Sequence, residues 1–286
     1  MAPVTPKLPD VPGVDHREID VNGVRLHVAQ AGAGPPLLLL HGWPQHWWCW
    51  RELIPRLTGT RRVIAPDLRG WGWSSAPPGD YAKGTLAADV LALLDCEGLD
   101  QVDLVGHDWG GYAGFLLALS HPDRVRRMVA VDIPPPWSPR PHLRHLALPL
   151  LLSYQALLAT PGLGEAALTR SDALVKAIIR RGSRLRQWSE DELRVYADVL
   201  RAPARARASS ACYRTFLTRE LGRGHEPEEL RVPTLLVMGS ASLIHRVANP
   251  QPSRNLAVRE IHGAGHFIPE EAPDQLLQLA GDFLSA

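Results

Sequence analysis

At 286 residues and a formal net charge of +1, the chain suits one large α/β domain, or a core with an inserted subdomain, around a sizeable hydrophobic core. Near-balanced charge excludes the strongly basic footprint of a nucleic-acid or anionic-membrane binder. Cys49, Cys96 and Cys212 are odd in number and far apart, which argues against a disulfide framework or a metal site.

The N-terminal MAPVTPKLPDVPG is proline-rich and polar and shows no signal peptide. The longest apolar stretches, Leu37 to Leu40 and the interrupted Leu143 to Leu158, are too short to span a bilayer. A soluble cytoplasmic protein is expected. His16 to Gln30 alternates apolar and polar residues around Asn22-Gly23, which predicts an antiparallel hairpin. Pro35 to Leu40 is an uninterrupted apolar run, as in a strand buried on both faces, and ends in His41-Gly42-Trp43-Pro44. Trp47, Trp48 and Trp50 read as packing residues. Arg62 to Pro66 predicts another strand, and Thr85 to Cys96 an amphipathic helix through Leu86, Val90, Leu93 and Leu94.

Gln101 to Leu119 is the centre of the pattern. Val102, Leu104 and Val105 form a short apolar strand; Tyr112, Phe115, Leu116 and Leu119 then recur at helical spacing. Asp108 stands at the bend among Gly106, Gly110 and Gly111, where close packing and sharp dihedrals favour residues without Cβ. This is the pattern of a nucleophile elbow with Asp in place of Ser. At a helix N-terminus Asp108 is expected to stay ionised at neutral pH, able to attack carbon; alternatively it only caps the helix.

Arg126 to Ile133 predicts the next strand, ended by prolines 134, 135, 136, 139 and 141. Residues from about 138 to 225 are Leu-, Ala- and Arg-rich with helical character. Strands return at Val232 to Met238 and Leu256 to Ile261, before a closing helix at Pro273 to Leu284. Alternating strands and helices imply a mostly parallel sheet.

HGWP and GHDWGG together resemble the epoxide hydrolase and haloalkane dehalogenase group of α/β-hydrolases. The resemblance implies a central sheet flanked by helices, with core at 1–137 and 226–286 and a helical cap inserted at 138–225. It places WRELIPRLTG, residues 50–59, on the sheet as the first core helix, and makes Asp67 to Ser75 a structural loop. It also implies a cis bond before Pro44, and an oxyanion hole from the backbone N–H groups of Trp43 and Trp109. His266, in Gly265-His266-Phe267, takes the role of general base.

In this family the acid that orients the histidine commonly follows the seventh strand, where Ser242 stands here. Asp132, at the end of the sixth strand, is the alternative, as in some dehalogenases. Tyr154 and Tyr213 match the two cap tyrosines of epoxide hydrolases, which hold the epoxide oxygen and donate a proton to it. The resemblance therefore implies a cofactor-independent, metal-free epoxide hydrolase acting on an apolar or aromatic small-molecule epoxide, as a monomer or homodimer. A haloalkane dehalogenase is the first rival, although Trp43 replaces the Asn common in HGNP. A fluoroacetate dehalogenase would carry Arg residues shortly after the nucleophile, where Trp109-Gly110-Gly111-Tyr112 stand. The absence of an acid at Ser242 leaves a second rival, a degenerate hydrolase that only binds ligand.

Overall fold

The computed structural model describes residues 6–138, 148–221, 226, 229–248 and 250–285. Its sheet begins with the antiparallel hairpin of β1 (Asp15–Val21) and β2 (Val24–Ala31). Asn22 and Gly23 both have positive φ, 47° and 72°, the two-residue turn whose twist matches its strands. The remaining strands are β3 (Pro36–Leu40), β4 (Arg62–Pro66), β5 (Val102–His107), β6 (Val125–Val131), β7 (Thr234–Gly239) and β8 (Leu256–Ile261). They lie in the order β1-β2-β4-β3-β5-β6-β7-β8, antiparallel as far as the β2–β4 pair and parallel beyond it. Every residue of β5 and β7 is buried, as expected where helices cover both faces. The carboxyl ends of β3, β5, β6, β7 and β8 carry the segments that build the site, the usual place for a site in a parallel sheet.

Three helices intersperse the first strands: α1 (Ile54–Leu57), α2 (Lys83–Cys96) and α3 (Trp109–Ser120). The helix expected at 50–59 is mostly absent. A 3₁₀ turn at Trp47–Trp50 and the single turn of α1 replace it, with Pro55 in the first turn of α1. Proline has no N–H to give, so it is accommodated at a helix start and not in the interior. Trp47 and Trp50 are fully buried. The Asp67 carboxylate accepts the N–H groups of Trp47 and Trp73, each at 2.8 Å, and lies 2.7 Å from His27 Nδ1.

Between β6 and β7 come α4 (Leu148–Ala159), α5 (Leu163–Arg170), α6 (Ala173–Gly182), α7 (Glu190–Leu200) and α8 (Pro203–Thr215), ending in a π-helical turn. Among the described residues this stretch holds no strand. Helices α4, α5 and α8 pack on one another, and α7 bridges α6 and α8. The expected ends of the insertion fall partly on 139–147 and 222–225, outside the described residues. Helices α9 (Leu243–Ala248), α10 (Ile268–Glu271) and α11 (Pro273–Ser285) complete the chain. No described helix is long and apolar enough to cross a membrane.

Candidate active site

β5 ends at His107 and α3 begins at Trp109, so the whole reversal falls on Asp108, at φ 50° and ψ −126°. Such strain in a non-glycine residue persists only where its surroundings enforce it. A Cβ on Gly106 would lie 2.7 Å from Gly111 Cα, and one on Gly110 would lie 2.4 Å from the His41 carbonyl. The Asp108 side chain makes no capping bond to α3, contrary to the alternative that it merely caps the helix. Instead Oδ1 accepts the Trp43 N–H at 3.0 Å, and the Trp109 N–H also stabilises the charge. The Trp43–Pro44 bond is cis.

Burial pushes the Asp108 pKa above the ordinary carboxylate value; His266 and the two N–H groups oppose that rise without cancelling it. The direction is opposite to the one a helix N-terminus alone implies, because desolvation of a buried carboxylate is the larger effect.

Asp132 lies one residue past β6 with φ 46°, so the strand expected to run to Ile133 stops at Val131. This turn aims its fully buried carboxylate at His266. His266 Nδ1 lies 2.7 Å from Asp132 Oδ2. A carboxylate oxygen only accepts, so Nδ1 carries the hydrogen, and in the neutral ring Nε2 is left with its lone pair. That Nε2 faces Asp108 Oδ2 at 3.6 Å.

Ser242 is not a bystander. Its hydroxyl donates to Asp132 Oδ2 at 2.6 Å, while Asp132 Oδ1 accepts the Gly239 N–H at 3.1 Å. The residue at the expected acid position thus donates a hydrogen bond to the Asp132 carboxylate. Burial disfavours the His266 imidazolium, but Asp132, Asp108 and Glu271 together outweigh it and raise the histidine pKa above 6.5.

Tyr154, on α4, and Tyr213, on α8, converge over the elbow. Their ring centroids are 5.9 Å apart, and both rings meet Trp43, Tyr154 stacked at 6.2 Å and Tyr213 edge-on at 5.2 Å. Trp109 packs on Tyr213 at 5.8 Å. Burial pushes the Tyr154 phenol up to about 12 and raises Tyr213 well above its usual value, with the Asp108 charge adding to both. Both phenols therefore keep their protons at neutral pH. The Trp43 indole N–H donates to Ser209 Oγ at 3.0 Å, tying the loop after β3 to α8.

A cavity of about 280 Å³ opens between α4 and α6 on one side and the loops after β7 and β8 on the other. Its wall includes Tyr154, Ile178, Leu243, His266 and Phe267, with Arg181 and Arg184 also on it; Asp108 and Tyr213 are not among the described wall residues.

Among the described residues, no cluster of His, Cys, Asp and Glu could hold a metal ion. Sequence reasoning missed Ser242 as a donor, Gln155, whose amide lies 3.4 Å from the Tyr154 hydroxyl, and Lys83. Lys83 Nζ is fully buried, donates to the Cys212 carbonyl at 2.9 Å, and sits 4.4 Å over the Trp109 ring. No motif marks any of the three.

A strained elbow over a mostly parallel sheet, with a histidine after the last strand, is the arrangement of an α/β-hydrolase. The family model described as alpha/beta hydrolase fold matches residues 35–273, and the chain belongs to that family. Within it, the chain is similar to the soluble epoxide hydrolase of Corynebacterium sp. (strain C12), 32% identical over 283 residues, covering 95% of this chain and 98% of that protein. It is also similar to the fluoroacetate dehalogenase of Burkholderia sp., 30% identical over 288 residues, covering 96% of this chain and 94% of that one. Among solved structures, a Salmonella enterica protein provisionally described as an acyltransferase superimposes with a TM-score of 0.88 at 28% identity, covering 98% of this chain and 97% of that one.

Proposed function

We propose that the protein hydrolyses an apolar or aromatic epoxide to a vicinal diol through a covalent ester on Asp108. The observation that carries this choice of chemistry is the Tyr154–Tyr213 pair above an elbow carboxylate. Opening an epoxide leaves negative charge on oxygen, which two phenols can hold and protonate; halide departure needs no acid.

In the first step Asp108 Oδ2, the oxygen not held by the Trp43 N–H, forms a bond to a ring carbon. The C–O bond breaks, its electron pair goes to oxygen, and a tyrosine supplies the proton. Alkylation removes the Asp108 charge, so His266 loses one of the groups that raise its pKa and the neutral base becomes easier to populate. In the second step His266 Nε2 takes a proton from water, and the hydroxide adds to the Asp108 carboxyl carbon. The resulting oxyanion forms on Oδ1, against the N–H groups of Trp43 and Trp109. Collapse expels the diol oxygen, which His266 protonates, and the proton left on the Asp108 carboxyl group passes to the tyrosinate, restoring the carboxylate and the phenol. Asp132 fixes the histidine tautomer and stabilises the imidazolium. Residues 138–225 then act as a cap that contributes both tyrosines and one wall of the cavity.

The similarity to a fluoroacetate dehalogenase supports a second reading, in which the same carboxylate displaces a halide. Incubating the protein separately with styrene oxide, a chloroalkane and fluoroacetate separates the two: diol from the epoxide and no halide from the others is expected. Halide release without diol would replace the epoxide assignment. The Tyr154→Phe/Tyr213→Phe double variant is expected to alkylate roughly 100- to 10,000-fold more slowly, with ester hydrolysis unaffected. Wild-type ring opening in single-turnover kinetics would remove the tyrosines from the mechanism.

A further inference from the structure

We propose that Glu271 is a positioning residue for the hydrolytic step, splinting the loop that carries His266 to the segment after α6. The inference rests on the functional reading above for the role of His266. Glu271 ends α10 and is 8% exposed. Its Oε1 accepts the Phe267 N–H at 2.9 Å, and its Oε2 accepts the N–H groups of Gly265 at 3.1 Å, Arg184 at 2.5 Å and Leu185 at 2.9 Å.

One buried carboxylate thus holds the backbone on both sides of the histidine. The middle N–H, that of His266 itself, donates to the Gly182 carbonyl at 2.8 Å. Three consecutive amides of the loop are therefore committed, and two of their acceptors tie it to residues 182–185. Gly182 and Arg184 line the cavity. The approach is close enough that a Cβ on Gly265 would lie 2.1 Å from the Gly182 carbonyl oxygen. Asp108, by contrast, is held by Trp43 and Trp109, and Glu271 makes no hydrogen bond to it. The splint therefore governs where the base stands and leaves the nucleophile alone.

His266 faces Asp108 from the elbow, Asp132 from the turn after β6, His107 from β5, Tyr154 across the cavity and Glu271 from α10. Glu271 is among the groups that raise its pKa. Glutamine at 271 keeps one acceptor oxygen but turns an NH₂ toward N–H donors and removes the charge.

For Glu271→Gln, alkylation by styrene oxide is expected near the wild-type rate, whereas ester hydrolysis slows on the order of 100-fold, the cost of a displaced catalytic group. Covalent ester then accumulates. The pH midpoint of hydrolysis moves down, because removing a negative charge destabilises the imidazolium; a merely structural role would not move it. Equal loss in both steps, or wild-type hydrolysis, would overturn the proposal. Should Glu271→Gln give no cooperative thermal melt, Glu271→Asp replaces it, keeping the charge but withdrawing the carboxylate. Slow hydrolysis at a near-wild-type midpoint is expected there, and fast hydrolysis would overturn the splint. A His266→Gln control keeps the two ideas apart: no ester in it tells against the epoxide reading, while ester there with ordinary turnover in Glu271→Gln tells against the splint alone.

Discussion

Asp108→Ala is expected to abolish epoxide turnover, with kcat/KM falling on the order of a million-fold, the scale on which a hydrolase loses activity with its nucleophile. The variant retains His266, Asp132 and the cavity, but water would have to open the ring with no carboxylate to form the ester. Asp108→Asn is the companion that tests fold separately. Asparagine tolerates the positive φ of this position better than most residues, and its carbonyl can still accept the Trp43 N–H. Both variants are expected to bind substrate, melt cooperatively and form no diol. Appreciable diol formation by either one would remove Asp108 as nucleophile.

Asp132→Asn is expected to slow ester hydrolysis by about 10,000-fold, as when a buried triad carboxylate becomes an amide. All three partners of this carboxylate are donors: His266 Nδ1–H, the Ser242 hydroxyl and the Gly239 N–H. An asparagine must therefore set its NH₂ against at least one of them, and the favourable arrangement for the amide pulls the histidine toward the wrong tautomer. The pH dependence supplies a second sign. Hydrolysis needs neutral His266, so in the wild type its rate rises with pH through the histidine midpoint, which Asp132 and Glu271 still raise once esterification has removed the Asp108 charge. Losing Asp132 moves that midpoint to lower pH even as the plateau falls. Adding Ser242→Asp to the same variant returns a carboxylate from the other side, since Ser242 Oγ stands 2.6 Å from the oxygen it would replace. Partial recovery is expected. Wild-type hydrolysis in Asp132→Asn alone would dismiss Asp132 as the orienting acid.

The parts of the molecule that local chemistry determines were legible in the sequence. Asn22-Gly23 forces a hairpin, the glycines around Asp108 admit an elbow, and the buried apolar runs set the parallel strands. Asp132 was legible only as one of two places for an acid. Its 2.7 Å approach to His266 Nδ1 was not legible, because its aim comes from a left-handed turn that no residue preference announces. Where a feature depends on partners distant in sequence, periodicity is silent or misleading. Residues 50–59 carry helical spacing, yet Pro55 and the burial of Trp47 and Trp50 leave only short turns. Lys83 lies just before the helix expected at Thr85 to Cys96 and no motif marks it, but its ammonium is buried against Cys212 and Trp109. Nothing in the sequence marks Glu271, and only the folded chain brings four backbone N–H groups to it. Ser242 stands where the family's acid is expected, and its hydroxyl donates to the Asp132 carboxylate.

The central claim, a covalent ester on Asp108 formed from an epoxide, is tested most directly by single-turnover mass spectrometry of the His266→Gln protein mixed with styrene oxide. Without its base the protein is expected to alkylate and stop, so the intact substrate mass should appear on the peptide carrying Asp108. No mass on that peptide, with the substrate shown to bind, would contradict the account; a haloalkane adduct there that has lost its halide would assign the same carboxylate to dehalogenation instead.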